Sequence, residues 1–331
     1  MTDTRLDVLA IGNAIVDIIA DCDDAFLERE GLTKDSMRLV DAEEATRLYG
    51  HMQPAREVSG GCAGNTAAGI SALGGRAGFI GQVAPDQLGE FYRHDLTAAG
   101  VEFTTPPVDV GIPTARSMIL VTPDGHRTMN TFLGAAQELS AEVLDEDQIR
   151  GAGILYLEGY LWDPETPRYA MVKAIEVARG AGRKIAFSLS DLFCVDRHRE
   201  GFTKLIDEGR IDILFANEAE ILAMGGVPHL ETAVAAIAPK VETLVVTRGA
   251  AGALAVRGDE RANIPAEPVG EVVDTTGAGD LFAAGFLYGE ATGRSLAQSL
   301  KLGAIAAAEI IQHYGARPEA DLRALAGELA A

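Results

Sequence analysis

Asp274-Thr275-Thr276-Gly277-Ala278-Gly279-Asp280 runs straight into the apolar stretch LFAAGFLY at positions 281–288. Glycines placed just ahead of a helix leave backbone N–H groups without intrahelical partners at the positive end of the helix dipole. A turn of this kind cradles an anion, and Asp280, standing in the first helical turn beside it, is placed to take a proton from an attacking hydroxyl. An acid following a glycine turn is equally an ordinary helix start. The rest of the chain has to decide between a phosphate site and a plain cap.

Working outward, apolar strands alternate with helices. Strands are predicted at 6–11, 76–83, 154–157, 184–189, 211–215 and 242–247, and helices at 41–52, 65–73, 87–99, 166–181, near 201, at 278–290 and at 295–313. Apolar strands separated by helices imply a mostly parallel sheet covered on both faces. Two regions break the rhythm. The run 14–20 carries Asp17 among aliphatic residues, and the runs 114–121 and 127–132 flank Thr122-Pro123-Asp124-Gly125, a hairpin turn signal. A further hairpin is expected at 252–256 and 261–264. No linker, repeat or low-complexity tract divides the chain, so 1–331 is expected to form a single three-layer α/β/α domain, with a small β excursion over it from the Ala14 and Thr114 regions.

Composition narrows the function. The 331 residues carry 28 Lys and Arg against 49 Asp and Glu, a net charge of −21 that repels nucleic acid and anionic membrane surfaces. A phosphorylated small ligand must then be attracted locally, by oriented amides or a metal ion. The three cysteines, Cys22, Cys62 and Cys194, form no CxxC pair, and the six histidines form no HExxH, which argues against a disulfide framework and a zinc hydrolase. The first residues lack the basic lead-in of a secretory leader, and no run approaches the ~18 apolar residues of a membrane span, so a reduced, cytoplasmic setting is expected. P-loop, protein-kinase and nucleophile-elbow signatures are absent.

Several stretches pair with the opening motif. Gly60-Gly61-Cys62-Ala63-Gly64-Asn65 reads as a glycine-rich loop opening a helix, where missing side chains admit a ligand and the Asn65 amide both donates and accepts; tight packing alone explains the glycines equally well. Asp17 offers two carboxylate oxygens to a vicinal diol, or is a solvent-facing acid at a strand edge. Asn217-Glu218-Ala219-Glu220 follows the strand at 211–215, where open α/β sheets bind ligands, and its oxygens suit hydrated Mg²⁺; the same spacing is also a helix N-cap. Thr247-Arg248-Gly249 follows the next strand in the same manner. Tyr160, Trp162 and Phe193 lie just past strands, where they can stack on a planar base or fill the core.

The order of these motifs over nearly the whole chain resembles the ribokinase-like (PfkB) family of sugar and nucleoside kinases, and within it the branch that phosphorylates adenosine. The resemblance rests on Gly12-Asn13 with Asp17, Gly60-Gly61 with Asn65, Ser188-Leu189-Ser190 before Phe193, Asn217 to Glu220, Asp274 to Asp280 and the late helix running to Gly315. It implies an ATP-dependent transfer of the γ-phosphate to the ribose 5′-hydroxyl of a purine nucleoside, adenosine first among them, on the ribokinase-like fold with a lid built from about 14–42 and 105–133. On that resemblance Asp280 is the base and the N–H groups of Gly277, Ala278 and Gly279 receive the transferred charge. Asn13, Asp17, Gly61, Asn65, Leu133, Tyr160 and Phe193 would hold the nucleoside. Asn217, Glu220, Thr247, Gly249 and Arg127 would hold ATP, with Mg²⁺ on Glu220 and Asn217 through water. Two alternatives stay open: a ribokinase-type kinase of a pentose or hexose, and a silent nucleoside- or nucleotide-binding regulator. So do a K⁺ requirement near Asp274 and Gly315 and a monomeric or homodimeric state, with no nucleic-acid or membrane partner expected.

Overall fold

Short apolar runs bounded by glycine or polar residues form the strands. The structure, a computed structural model, describes residues 4–330. Nine strands make the main sheet in the order Glu260–Ile264, Ala253–Arg257, Thr243–Thr247, Ile213–Asn217, Lys184–Ser188, Ala152–Glu158, Leu6–Ile11, Ala77–Ile80, Glu102–Phe103. From Thr243–Thr247 through Glu102–Phe103 all neighbours are parallel, and the hairpin at the other edge is antiparallel.

Alternation along each strand divides the core in two. Val8, Ala10, Ile154, Tyr156, Ile213 and Phe215 pack with helices Cys62–Ala72, Gln87–Ala98, Ala278–Ala291 and Leu296–Ile310. Leu9, Ile11, Leu155, Leu157, Leu214 and Ala216 pack on the opposite face with helices Glu165–Gly180, Leu192–Asp207 and Glu218–Gly225. Each fully buried Leu or Ile contributes roughly 1.5–3 kcal/mol, so both faces hold the sheet. Helix Ala278–Ala291, which carries Asp280, lies against Leu296–Ile310 at glycine contacts: a Cβ on Gly285 would strike the Leu302 backbone, and one on Gly303 would sit 2.7 Å from the Phe282 carbonyl.

A second sheet of five strands, ordered Met37–Leu39, Arg127–Phe132, Ala115–Val121, Ile15–Asp21, Arg56–Ser59, stands beside the main one. It has its own small core of Phe26, Leu27, Leu32, Ala45, Leu48, Met118, Leu120 and Phe132. The Thr122 to Gly125 turn closes the antiparallel pair in the register Val121 with Arg127.

Some expected boundaries move. The glycine-rich loop is shorter than expected, because helix Cys62–Ala72 begins at Cys62; Gly61, at φ 80°, turns the chain in one residue and serves as the N-cap. The late helix ends at Ile310 rather than 313, where the Ile311 carbonyl accepts from the Val273 N–H at 2.8 Å. Strand Ala77–Ile80 is shorter than the run 76–83, while Ile213–Asn217 begins later and extends past 215.

Candidate active site

The carboxyl ends of the parallel strands deliver Asn13, Glu158, Ser188, Asn217 and Thr247 to one cavity of about 800 Å³, the position that ligands take in open α/β sheets. The second sheet supplies the facing wall. In Ile15–Asp21 the buried residues are Val16, Ile18 and Ala20, so Ile15 and Asp17 project from the other face, into the cavity, joined there by Ser117, Ile119, Met129 and Thr131. An acid among aliphatics is thus the period-2 alternation of a strand.

Gly277, at φ 78°, is the N-cap of helix Ala278–Ala291 and has no capping side chain. A Cβ there would lie 2.7 Å from that of Ala316, so this turn requires glycine for space as well as for φ. The Ala278 N–H turns back to the Thr275 carbonyl at 3.2 Å. Asp274 ties the turn together: one oxygen accepts from the Thr276 N–H at 3.0 Å, and the other from the Gly315 N–H at 3.1 Å and lies 2.6 Å from the Arg127 guanidinium. Arg127, from the second sheet, also donates to Thr276 Oγ1 at 3.1 Å.

Asp280 faces the cavity beside this turn. Asn65 Nδ2 donates to its Oδ2 at 2.8 Å, and Thr66 Oγ1 donates to its backbone carbonyl at 3.1 Å. Burial pushes its carboxyl up to about 6, against the lowering effect of the Asn65 and Cys62 hydrogen bonds and the Arg317 charge. A base poised just below neutrality is matched to accepting a proton at physiological pH. Burial likewise pushes Asp17 up to about 7, with Arg317 and Arg127 pulling it down. Gly60 makes room for Asp17, since a Cβ would strike its carboxylate.

Two further charged residues shape the site without having been predicted. Glu158 is buried, and its oxygens accept from the Asn13 N–H at 2.7 Å, from Asn13 Nδ2 at 2.8 Å and from the Ala63 N–H at 2.8 Å. It therefore clamps Gly12-Asn13 to the glycine-opened helix, and burial pushes it up to about 7. Its sequence signal was an acid closing an apolar strand. Arg317 donates to Asn65 Oδ1 at 2.6 Å and to Ser59 Oγ at 2.8 Å.

Of the other expected residues, Gly61, Leu133, Tyr160, Phe193, Glu220 and Gly279 line the same cavity. Phe193 is 68% exposed, one residue into helix Leu192–Asp207. Trp162 is displaced from the expected stacking wall: it is buried edge-on to Phe202 at 5.9 Å between centroids, outside the cavity. Gly249 lies on an exposed turn and Arg127 beside the Asp274 loop, neither in the cavity lining. Asn217 and Glu220 form the complete capping box: Glu220 accepts from the Asn217 N–H at 3.0 Å and from Asn217 Nδ2 at 2.5 Å, and its own N–H donates to Asn217 Oδ1 at 2.9 Å. Among the described residues no group of three or more His, Cys, Asp or Glu side chains is arranged to hold a metal ion, and no single helix is long and apolar enough to cross a membrane.

A cavity carboxylate pushed up toward neutrality, beside a glycine turn that opens a helix, suits the chemistry of a kinase that phosphorylates an alcohol. The chain belongs to the pfkB family of carbohydrate kinases, which it matches over residues 7–322. It is similar to the crystal structure of adenosine kinase from Sinorhizobium meliloti, at 50% identity and a TM-score of 0.90, covering 97% of this chain and 98% of that one. It is also similar to that of a probable sugar kinase protein from Rhizobium etli CFN 42, at 49% identity and a TM-score of 0.91, covering 97% of each. The fructokinase of Salmonella typhimurium is 31% identical over 243 residues, 69% of this chain and 75% of that protein.

Proposed function

We propose that this kinase transfers the γ-phosphate of ATP to the 5′-hydroxyl of a purine nucleoside, adenosine being the first candidate. The observation that carries the reading is the apolar lining of the cavity: Ile15, Met37, Leu39, Ile119 and Leu133 face the polar strand ends, and Phe193 stands just past one of them. A free sugar has hydroxyls all round and gains little from such a wall, whereas a nucleobase buries its faces there. Asp17, Asn13 and Asn65 are the groups to hold the ribose hydroxyls. Asp280 takes the 5′-proton as the oxygen attacks in line, and the amides of Gly277 and Gly279 at the cavity wall receive the negative charge of the transferred group, that of Ala278 being turned back to Thr275. The carboxylate of Glu220 and the amide oxygen of Asn217, engaged with each other in the capping box, lie at the cavity wall, where their remaining lone pairs would hold Mg²⁺ through its water shell. When bound, the ion supplies charge neutralisation to the phosphates.

The test is ADP release from MgATP with a panel of nucleosides and sugars, on the native protein and on Phe193→Ala. Adenosine should give the highest kcat/KM, and Phe193→Ala should lower nucleoside use by about tenfold, the loss of ~1.4 kcal/mol, while leaving slow ribose phosphorylation nearly unchanged. A native preference for a pentose or hexose would establish the second reading, a sugar kinase. Ser190, the helix-capping Asp191 and the mutually paired Asp163 and Arg197 line the same cavity and favour that second reading, because their remaining polar positions suit hydroxyl groups.

A further inference from the structure

The segment after the late helix places a cation behind the base. Arg317 Nη1 donates to Asn65 Oδ1 at 2.6 Å and Nη2 to Ser59 Oγ at 2.8 Å, while Ser59 Oγ donates to Asp95. On its other side, Asn65 Nδ2 donates to Asp280 Oδ2 at 2.8 Å. Guanidinium has donors only. The Asn65 atom facing it must therefore be the carbonyl oxygen, which turns the NH₂ group toward Asp280. The ionised Asp280 carboxylate, an acceptor only, favours the same orientation, so Arg317 adds the second tether: without it the Asn65 oxygen loses its donor and the amide is held at one end alone.

We propose that Arg317 is a positioning residue for phosphoryl transfer: anchored on Ser59, it locks the Asn65 amide in the one orientation that donates to Asp280. The inference rests on the reading of Asp280 as the base. Its consequence is a base held in a single rotamer, with Asn65 and Cys62 donating to it and its remaining acceptor positions open to the substrate proton.

Arg317 also sets the charge around the base. Asp280 is faced by Cys62 and Asn65 from helix Cys62–Ala72, by Asp17 from the second sheet, by Tyr156 and Glu158 from strand Ala152–Glu158, by Tyr160 just beyond it, and by Arg317. Arg317 is the cation of that set, and it lowers both Asp280 and Asp17. Removing it leaves the base facing two carboxylates, so the Asp280 pKa rises and the acid limb of the pH–rate profile moves to higher pH.

The experiment measures kcat, KM and the pH profile for Arg317→Met, with Asp280→Asn made alongside. Arg317→Met should lose about 10- to 100-fold in kcat, with KM for the phosphoryl acceptor changed much less, and its acid limb should move up by about one pH unit. Arg317→Lys should bring the acid limb back, since the charge returns, but recover kcat only in part, since one ammonium cannot hold Asn65 and Ser59 as the planar fork does. Near-native kcat in Arg317→Met, or a loss with the acid limb unmoved, overturns the assignment. Should Arg317→Met fail to fold, Ser59→Ala removes the anchor while keeping the charge, and a kcat equal to the native value there overturns it as well. Asp280→Asn separates the two claims: turnover close to native in that variant sinks the base itself, whereas an inactive Asp280→Asn beside an unaltered Arg317 variant sinks only the positioning role.

Discussion

Asp17 illustrates what a half-buried carboxylate in a cavity wall costs and what it is for. It faces the cavity with no hydrogen bond from the described residues, and burial lifts its folded pKa to about 7 from 3.8. A raised carboxyl pKa means that the folded state binds the proton more tightly than the unfolded state. The stability linked to it is complete below about pH 3.8 and is lost as pH rises through about 7. Asp17→Asn removes that loss, so the variant should melt several degrees above the native protein at pH 8, at ~2–4 °C for each kcal/mol, with the gap closing as pH falls toward 4. It should also lose nucleoside affinity. Equal melting temperatures at pH 8 would show that Asp17 is not desolvated. Asp17, Asn65 and Asp280 were legible because their residue types sit at telling places, an acid in an aliphatic run or a polar group after glycines. Glu158 and Arg317 were not, because their meaning lies in partners 95 and 252 residues away along the chain; an acid closing an apolar strand marks Glu158 only weakly, and nothing local marks Arg317.

At the scale of elements, the helix that carries Asp280 is located by contact rather than by its own polarity, since its residues from Leu281 to Gly289 are all buried. Its position against Leu296–Ile310 depends on Gly285, whose missing side chain lets the Leu302 backbone approach. Gly285→Ala forces the two helices apart, an overpacking that costs ~1–3 kcal/mol. The denaturation midpoint should fall, and turnover with it, because Asp280 and Gly277 ride on the displaced helix. Gly180→Ala is the control, since a Cβ there meets nothing within 4 Å; its midpoint should be native or slightly higher. If Gly285→Ala matched that control, the close approach would not matter. Most of the alternation of strands and helices in the main sheet was readable because apolar runs bounded by glycine or polar residues mark its longer elements; the two-residue edge strand Glu102–Phe103 escaped that reading. Met37–Leu39 and Arg56–Ser59 were not. They are three and four residues long, too short to show a period, and become strands by pairing with Arg127–Phe132 and Ile15–Asp21. The Asn217 to Glu220 motif was read both ways, as a cap and as a metal site, and the cap is what the hydrogen bonds display.

Over the whole molecule, a net charge of −21 works against any anionic nucleotide, so the cations near the cavity carry weight. Arg127 is one of them, and it comes from the second sheet while its partners, Asp274 and Thr276, belong to the turn that opens helix Ala278–Ala291. The second sheet has its own core, which lets it move as a unit, and its cavity face leaves Met37 45% and Leu39 56% exposed. Apolar surface next to a ligand cavity gains by being covered, so nucleoside binding should draw this sheet down as a lid and exclude water from the acceptor hydroxyl. Closure of that kind slows amide exchange at the moving strands. Adenosine should therefore protect Ile15–Asp21, Ala115–Val121 and Arg127–Phe132, and Arg127→Ala, which removes the link between lid and turn, should reduce that protection. Exchange left unchanged in those three strands, with protection appearing only at the ends of the main-sheet strands, would mean that the second sheet is a fixed wall and that the cavity needs no closing.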